Sequence, residues 1–181
     1  MNKCHLQYFA VVPAACLGLS LTPVTDVWAL EKCKQSGKNL AQDTKYVQQH
    51  AIDVGDVPGH QVRILELHTT PSNAKPNCEG LKVLDFWSHG YSDYTNTNGR
   101  AWGYGVDVLE NGDKIFSQWS GTTHSAVGSD GSKKITYTGG TNLTGGTGKY
   151  RGVRGMGRVT TVFDPVAGFN ESQWETEYWI E

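Results

Sequence analysis

The sequence predicts an all-β fold, a single eight-stranded antiparallel barrel. Three observations carry this expectation. Twenty-two glycines, eight tyrosines and six tryptophans stand in 181 residues, while only 19% of residues are charged; that composition suits strands joined by many turns. The second half alternates apolar and polar positions in segment after segment and holds no helix-period stretch of useful length. Finally, eight of the nineteen residues from Gly139 to Gly157 are glycine, directly before the alternating run Arg158–Phe163. A strand, a glycine-rich turn and another strand is a β signal. Closing the sheet would remove two adhesive edges, which favours a barrel; an open sandwich is the alternative that periodicity leaves open.

The N-terminus reads as a targeting segment. Lys3 supplies a positive charge, residues 6–21 an apolar centre, and Val27-Trp28-Ala29 small residues at the positions a signal peptidase reads. Pro13 and the shortness of the apolar run argue against a spanning helix. The expected organisation is a signal peptide over 1–29, an irregular segment over 30–43 and a β-barrel domain over 44–181, in a secreted or periplasmic protein with no membrane span in the mature chain. Cys4 and Cys16 leave with the signal, so Cys33 and Cys78 remain, and in an oxidising compartment a disulfide is their simplest use. A closed loop of about 45 residues stabilises by roughly 4 kcal/mol on the chain-entropy view. A zinc or catalytic cysteine would need a CxxC or a nearby second ligand, and neither is present.

Strands follow in order. Thr44–Asp53 ends at the turn signals Gly55-Asp56 and Pro58-Gly59; His60–Thr70 carries Val62 and Ile64 before Leu65 and Leu67. Gly80–Tyr91 sets Leu81, Val83, Asp85, Trp87 and His89 on one face, and a polar turn is expected over Ser92–Gly99. Residues 101–109 set Trp102, Tyr104, Val106 and Val108 against a nearly bare face of Ala101, Gly103, Gly105 and Asp107. Asn111-Gly112 predicts a type I′ hairpin into Lys114–Thr123. Lys133–Thr138, Arg158–Phe163 and Gln173–Ile180 complete the set.

The run Gly145-Gly-Thr-Gly-Lys-Tyr-Arg-Gly-Val-Arg-Gly155 resembles the G-T-G-x-[FY]-x-G-[VIA]-x-G segment of allene oxide cyclase and dirigent-like, calycin-type barrels. By motif the resemblance covers roughly residues 115–163, and by strand count the mature chain. It implies an eight-stranded antiparallel barrel with an apolar or partly polar cavity, in proteins that often form homo-oligomers. It carries over no catalytic residue.

A net charge of −2 leaves no basic footprint for nucleic acid. The glycine stretch lacks the GxxxxGK[ST] order and a following helix, so it is a structural turn and not a phosphate cradle. His60 and His68 lie eight residues apart on one strand, about 26 Å, too far to share an ion, and no metal site is expected. No Gly-x-Ser-x-Gly, Cys/His or nucleotide pattern supports nucleophilic hydrolysis. What remains is aromatic. Trp87, Trp102, Tyr104, Trp119, Trp174 and Tyr178 are candidate walls of a ligand pocket, or equally a packed core. Asp85 and His89 share a face with Trp87 and are candidate proton-transfer groups if that face points inward.

Three functions follow: a cofactor-free barrel holding a small, largely apolar molecule; a cyclase or isomerase using the same cavity; or a barrel packed solid that serves structure or assembly. Enclosed space of about 300 Å³ or more separates the first two from the third.

Overall fold

The computed structural model describes residues 31–181 apart from Asp130 and Ser132. The expected signal segment, 1–29, lies outside the described residues. Nine strands form one antiparallel sheet: β1 (Cys33–Asn39), β2 (Thr44–Asp53), β3 (His60–Thr69), β4 (Val83–Thr95), β5 (Asn98–Leu109), β6 (Lys114–Val127), β7 (Lys133–Gly146), β8 (Val153–Asp164) and β9 (Phe169–Ile180). Strands β2 to β9 meander in chain order, and β1 pairs with β9. The count is therefore nine rather than eight, and the segment expected to be irregular supplies the additional strand. Its sequence, CKQSGKN, has little strand character of its own. Its backbone groups are satisfied by the free edge of β9, from Cys33 opposite Tyr178 to Asn39 opposite Ser172.

The sheet is curled, and β2 comes up against β9. Strands β1 and β2 terminate the hydrogen-bonded order, yet they are consecutive in the chain, joined through a 3-10 turn at Ala41–Asp43. The ladder is not continuous across this seam. Side chains bridge it instead, with Asn170 Nδ2 of β9 donating to Tyr46 Oη of β2 at 3.2 Å.

Two turns differ from the expected chemistry. β4 runs on through Ser92 to Thr95, and the chain reverses at Asn96 and Thr97, both at positive φ (52° and 68°). At the next hairpin only Gly112 is left-handed (φ 85°), and its N–H bonds to Leu109 O at 2.8 Å. That is a type I turn closed by a left-handed glycine, not type I′. The glycine-rich stretch is largely strand: Gly139–Gly146 ends β7, Val153–Gly157 opens β8, and a six-residue turn over 147–152, with a 3-10 turn at Gly148–Tyr150, joins them.

Two clusters of buried residues pack against the inner face of the curled sheet. One gathers Leu109, Ile115, Tyr150, Val153, Tyr178 and Cys33; the other gathers Tyr94, Ala101 and Tyr137. Cys33 and Cys78 form the expected disulfide, with Cα atoms 6.0 Å apart. It fastens the loop between β3 and β4 to the first strand. Tyr178 and Tyr150 both donate to Glu79 Oε2 in that loop, at 2.5 and 3.1 Å.

Candidate functional site

The inner face of the sheet lines a partly open cavity of about 770 Å³ to which all nine strands and the loop Pro71–Cys78 contribute. Which residues reach it is decided by one β-bulge. In the pairing of β4 with β5, Val83 opposes Leu109 but Asp85 opposes Val108, so Leu84 is an extra residue. The alternation changes phase there. Val83 faces the lumen, and beyond the bulge Phe86, Ser88, Ser92 and Tyr94 do so. Asp85, Trp87 and His89 are thereby turned to the outside.

Strand β5 is set by the same logic. Its bare face is the inner one, because the space beside it is taken by large side chains from neighbouring strands. A Cβ on Gly103 would lie 2.6 Å from the Trp119 indole, and one on Gly105 would lie 2.8 Å from the Phe86 ring. Trp102 and Tyr104 point outward, 46% and 53% exposed. Of the six predicted pocket aromatics, Trp119, Trp174 and Tyr178 line the lumen. Trp87, Trp102 and Tyr104 do not.

The outward set forms contacts of its own. His68 Nε2 and Asp85 Oδ1 are 2.6 Å apart, Thr70 Oγ1 donates to the same oxygen at 3.1 Å, and the His68 ring stacks on Trp87 at 4.0 Å. His89 Nε2 lies 3.8 Å from Glu66 Oε2. Asp85 and His89 thus have separate partners and do not share a pocket with the lumen aromatics. Among the described residues no group of three or more His, Cys, Asp or Glu side chains is gathered as a metal site would require.

The lumen has a different acid. Asp107 is the only Asp or Glu among the described residues that line it. Burial pushes its carboxyl up from 3.8 to about 7, which places both protonation states within reach near neutral pH. The sequence had put Asp107 on the small-residue face of β5; the missing signal was that this face turns inward. At the far end stand Arg63, Ser92, Trp119 and Tyr137, each with a buried polar atom (Nε, Oγ, Nε1 and Oη) that has no hydrogen-bond partner among the described residues. Burial also raises the hydroxyl pKa of Tyr46, Tyr94 and Tyr137, so all three are neutral donors.

No family model matches the chain, and no curated protein matches it. Among solved structures it is similar to the pterocarpan synthase dirigent protein GePTS1, with a TM-score of 0.49 and 13% identity over 92% of this chain and 100% of that one. The likeness of residues 145–155 to the cyclase and dirigent segment remains a resemblance.

The lumen is mixed in its chemistry. Aliphatic and aromatic side chains such as Leu65, Leu67, Phe86 and Leu143 line it together with the unpaired donors of Arg63, Trp119 and Tyr137, the single acid Asp107, and the exposed Lys34, Lys38 and Lys75. An apolar cavity with a few fixed polar groups is the general form of a small-molecule site.

Proposed function

We propose that this protein is a secreted, cofactor-free β-barrel that binds a small, largely apolar molecule in its lumen. The single observation that carries the reading is the cavity of about 770 Å³, well above the roughly 300 Å³ at which a pocket can enclose such a ligand. A solidly packed structural barrel does not accommodate that space. The disulfide between Cys33 and Cys78 supports export, because such bonds persist in oxidising compartments, and residues 1–29 serve as the signal. Native mass spectrometry of protein purified from its own source tests the reading. A retained organic mass that is released on unfolding is the expected result. Protein that is empty as purified, and that takes up no apolar fluorophore, would count against it.

One observation favours a second reading, a cyclase or isomerase. Asp107 is an inward acid poised near neutrality, able to give and take a proton while the aromatic walls fix the substrate's conformation. The proton-transfer role expected of Asp85 and His89 passes to this residue. Conversion of the retained molecule by wild type but not by Asp107→Asn, with binding kept in both, is the expected result; equal turnover in the two would remove this reading and leave the binder.

A further inference from the structure

The β3–β7 end of the lumen is built around one row of residues. Cross-strand pairing places Arg63, Ser92, Ala101, Gly121 and Gly139 side by side across five strands. Ala101 and the two glycines leave that row almost without side chains. Trp119, two residues before Gly121, and Tyr137, two residues before Gly139, lean into the space, their rings edge to face with centroids 5.9 Å apart. Tyr137 lies over the two glycines, since a Cβ on Gly121 would fall 2.8 Å from its ring and one on Gly139 would meet its hydroxyl, and Arg63, Ser92, Ala101, Trp119 and Tyr137 line a recess of the lumen there.

Arg63 Nε, Trp119 Nε1 and Tyr137 Oη are buried and have no partner among the described residues. Ser92 Oγ lies beside the Tyr94 hydroxyl but outside hydrogen-bond geometry. Of the Arg63 guanidinium, Nη2 donates to Gln61 Oε1 at 2.7 Å, and no carboxylate among the described residues forms an ion pair with it. Buried polar groups in folded proteins are almost always paired, and each exception calls for an explanation. Here the exceptions are clustered, all line one cavity, and Arg63, Trp119 and Tyr137 can all donate. One uncompensated positive charge stands among them.

Charge and position together define the occupant. We infer that this recess is the head-group subsite for a monocarboxylate, an apolar small molecule carrying one carboxylate, whose oxygens accept from Arg63, Trp119 and Tyr137 while its body lies along the lumen. The inference rests on the lumen-binding reading above. The orientation follows from Asp107, the acid that lines the opposite part of the lumen. Six residues separate it from Ala101 along β5, roughly 20 Å at about 3.3 Å per residue. Lys34, Lys38 and Lys75 also line the cavity but are solvent-exposed, so Arg63, with its buried Nε, is the cation that meets a carboxylate inside the lumen, and Asp107 disfavours one beside it. Arginine suits the role because its planar fork matches a carboxylate and it remains charged when partly buried.

The test uses displacement of the neutral fluorophore N-phenyl-1-naphthylamine from the oxidised protein at neutral pH, with decanoate and 1-decanol as competitors of equal chain length. Decanoate is expected to bind at least about tenfold more tightly than decanol, the scale of one charge-assisted hydrogen bond. Arg63→Met, which keeps an unbranched stem, should bring the two within about twofold of each other. Tyr137→Phe, which removes one hydroxyl and keeps the ring, should weaken decanoate by about threefold to tenfold. Equal affinities in wild type, or a preference for decanoate that survives in both variants, overturns the subsite and leaves the lumen as a binding cavity. Failure of wild type to bind the fluorophore overturns the lumen reading and the subsite with it.

Discussion

The benzo edge of the Trp119 indole occupies the space that a side chain at Gly103 would need: a Cβ built there falls 2.6 Å from the ring. Gly90 on β4 makes the same allowance, at 2.7 Å. These two glycines are cross-strand partners, so together they form a flat floor on which one large side chain lies. The position of the indole depends on residues that have no side chain at all.

Gly103→Ala is therefore expected to destabilise the protein by about 1–3 kcal/mol, the usual consequence of overpacking. The new methyl group would meet backbone, His89 O and Gly90 Cα, as well as the ring, and backbone in a paired ladder yields little. Gly140→Ala is the matched control. Its Cβ has ordinary contact with Gly157 O at 3.7 Å, and a change within about 0.5 kcal/mol is expected. Urea unfolding of the two variants beside wild type decides it; equal midpoints for the two would show that the sheet absorbs the methyl group by shifting.

The disulfide anchors a wall of the cavity as well as constraining the unfolded chain. Cys78 lies at the end of the loop that lines the lumen from Pro71 onward, and β1 is held otherwise by its pairing with β9. The double variant Cys33→Ser/Cys78→Ser should lose about 2–4 kcal/mol of stability. It should also release a lumen ligand faster than wild type, since the loop is then tied only by the packing of Leu81 and by polar contacts such as Ser72 Oγ donating to Asp43 Oδ2 at 2.8 Å. Stopped-flow dissociation of a bound fluorophore checks this; unchanged dissociation would show that the loop holds without the bond.

How much of this was legible in the sequence depends on what each residue's neighbours do. The strands from Thr44 onward were readable, because alternation and turn residues are local signals. β1 was not, since a polar heptapeptide becomes a strand only by completing the edge of β9. The inward face of β4 was misread for a single reason. Leu81, Val83, Asp85, Trp87 and His89 do alternate, but the bulge at Leu84 breaks the register between the second and third of them, and nothing in the residues marks it. The bare face of β5 was recognised as unusual, yet only Trp119 and Phe86, from other strands, make it the inner one. Asp107 was invisible as a site for that reason.

The aromatic residues now divide into two sets with different expected behaviour. Trp102→Ala and Tyr104→Ala remove exposed rings and should leave lumen binding within about twofold of wild type, as surface substitutions usually do. Trp174→Ala removes a lumen wall whose Nε1 donates to Asn39 Oδ1 at 3.3 Å and whose ring covers Gly37. It should weaken binding of an apolar fluorophore and destabilise the fold by about 3–5 kcal/mol, as for other large aromatic truncations. Titrating one fluorophore into all three variants separates the sets; loss of binding in Trp102→Ala would place the ligand on the outer face.

Asp107 should make the protein less stable as pH rises through neutrality. Its carboxyl titrates at about 7 in the folded chain because burial penalises the charge, against an ordinary value of 3.8. Between those values the folded form keeps a proton that the unfolded form has released. Stability therefore falls as pH rises across that window, and the full penalty is present above about pH 7. The span corresponds to about 4 kcal/mol as an upper bound, since water reaching the lumen screens part of it. Asp107→Asn keeps the shape and removes the charge. Near pH 4 it should match wild type within about 0.5 kcal/mol; near pH 8 it should be the more stable protein, by an amount that grows with pH through the window and then levels off. A ligand that donates a hydrogen bond to the carboxylate would shift the wild-type curve toward that of the variant. Urea titrations at several pH values, with and without ligand, measure both effects. A constant difference between wild type and variant across the range would mean that Asp107 ionises without penalty, and the lumen would then lack a proton-transfer group tuned to neutral pH.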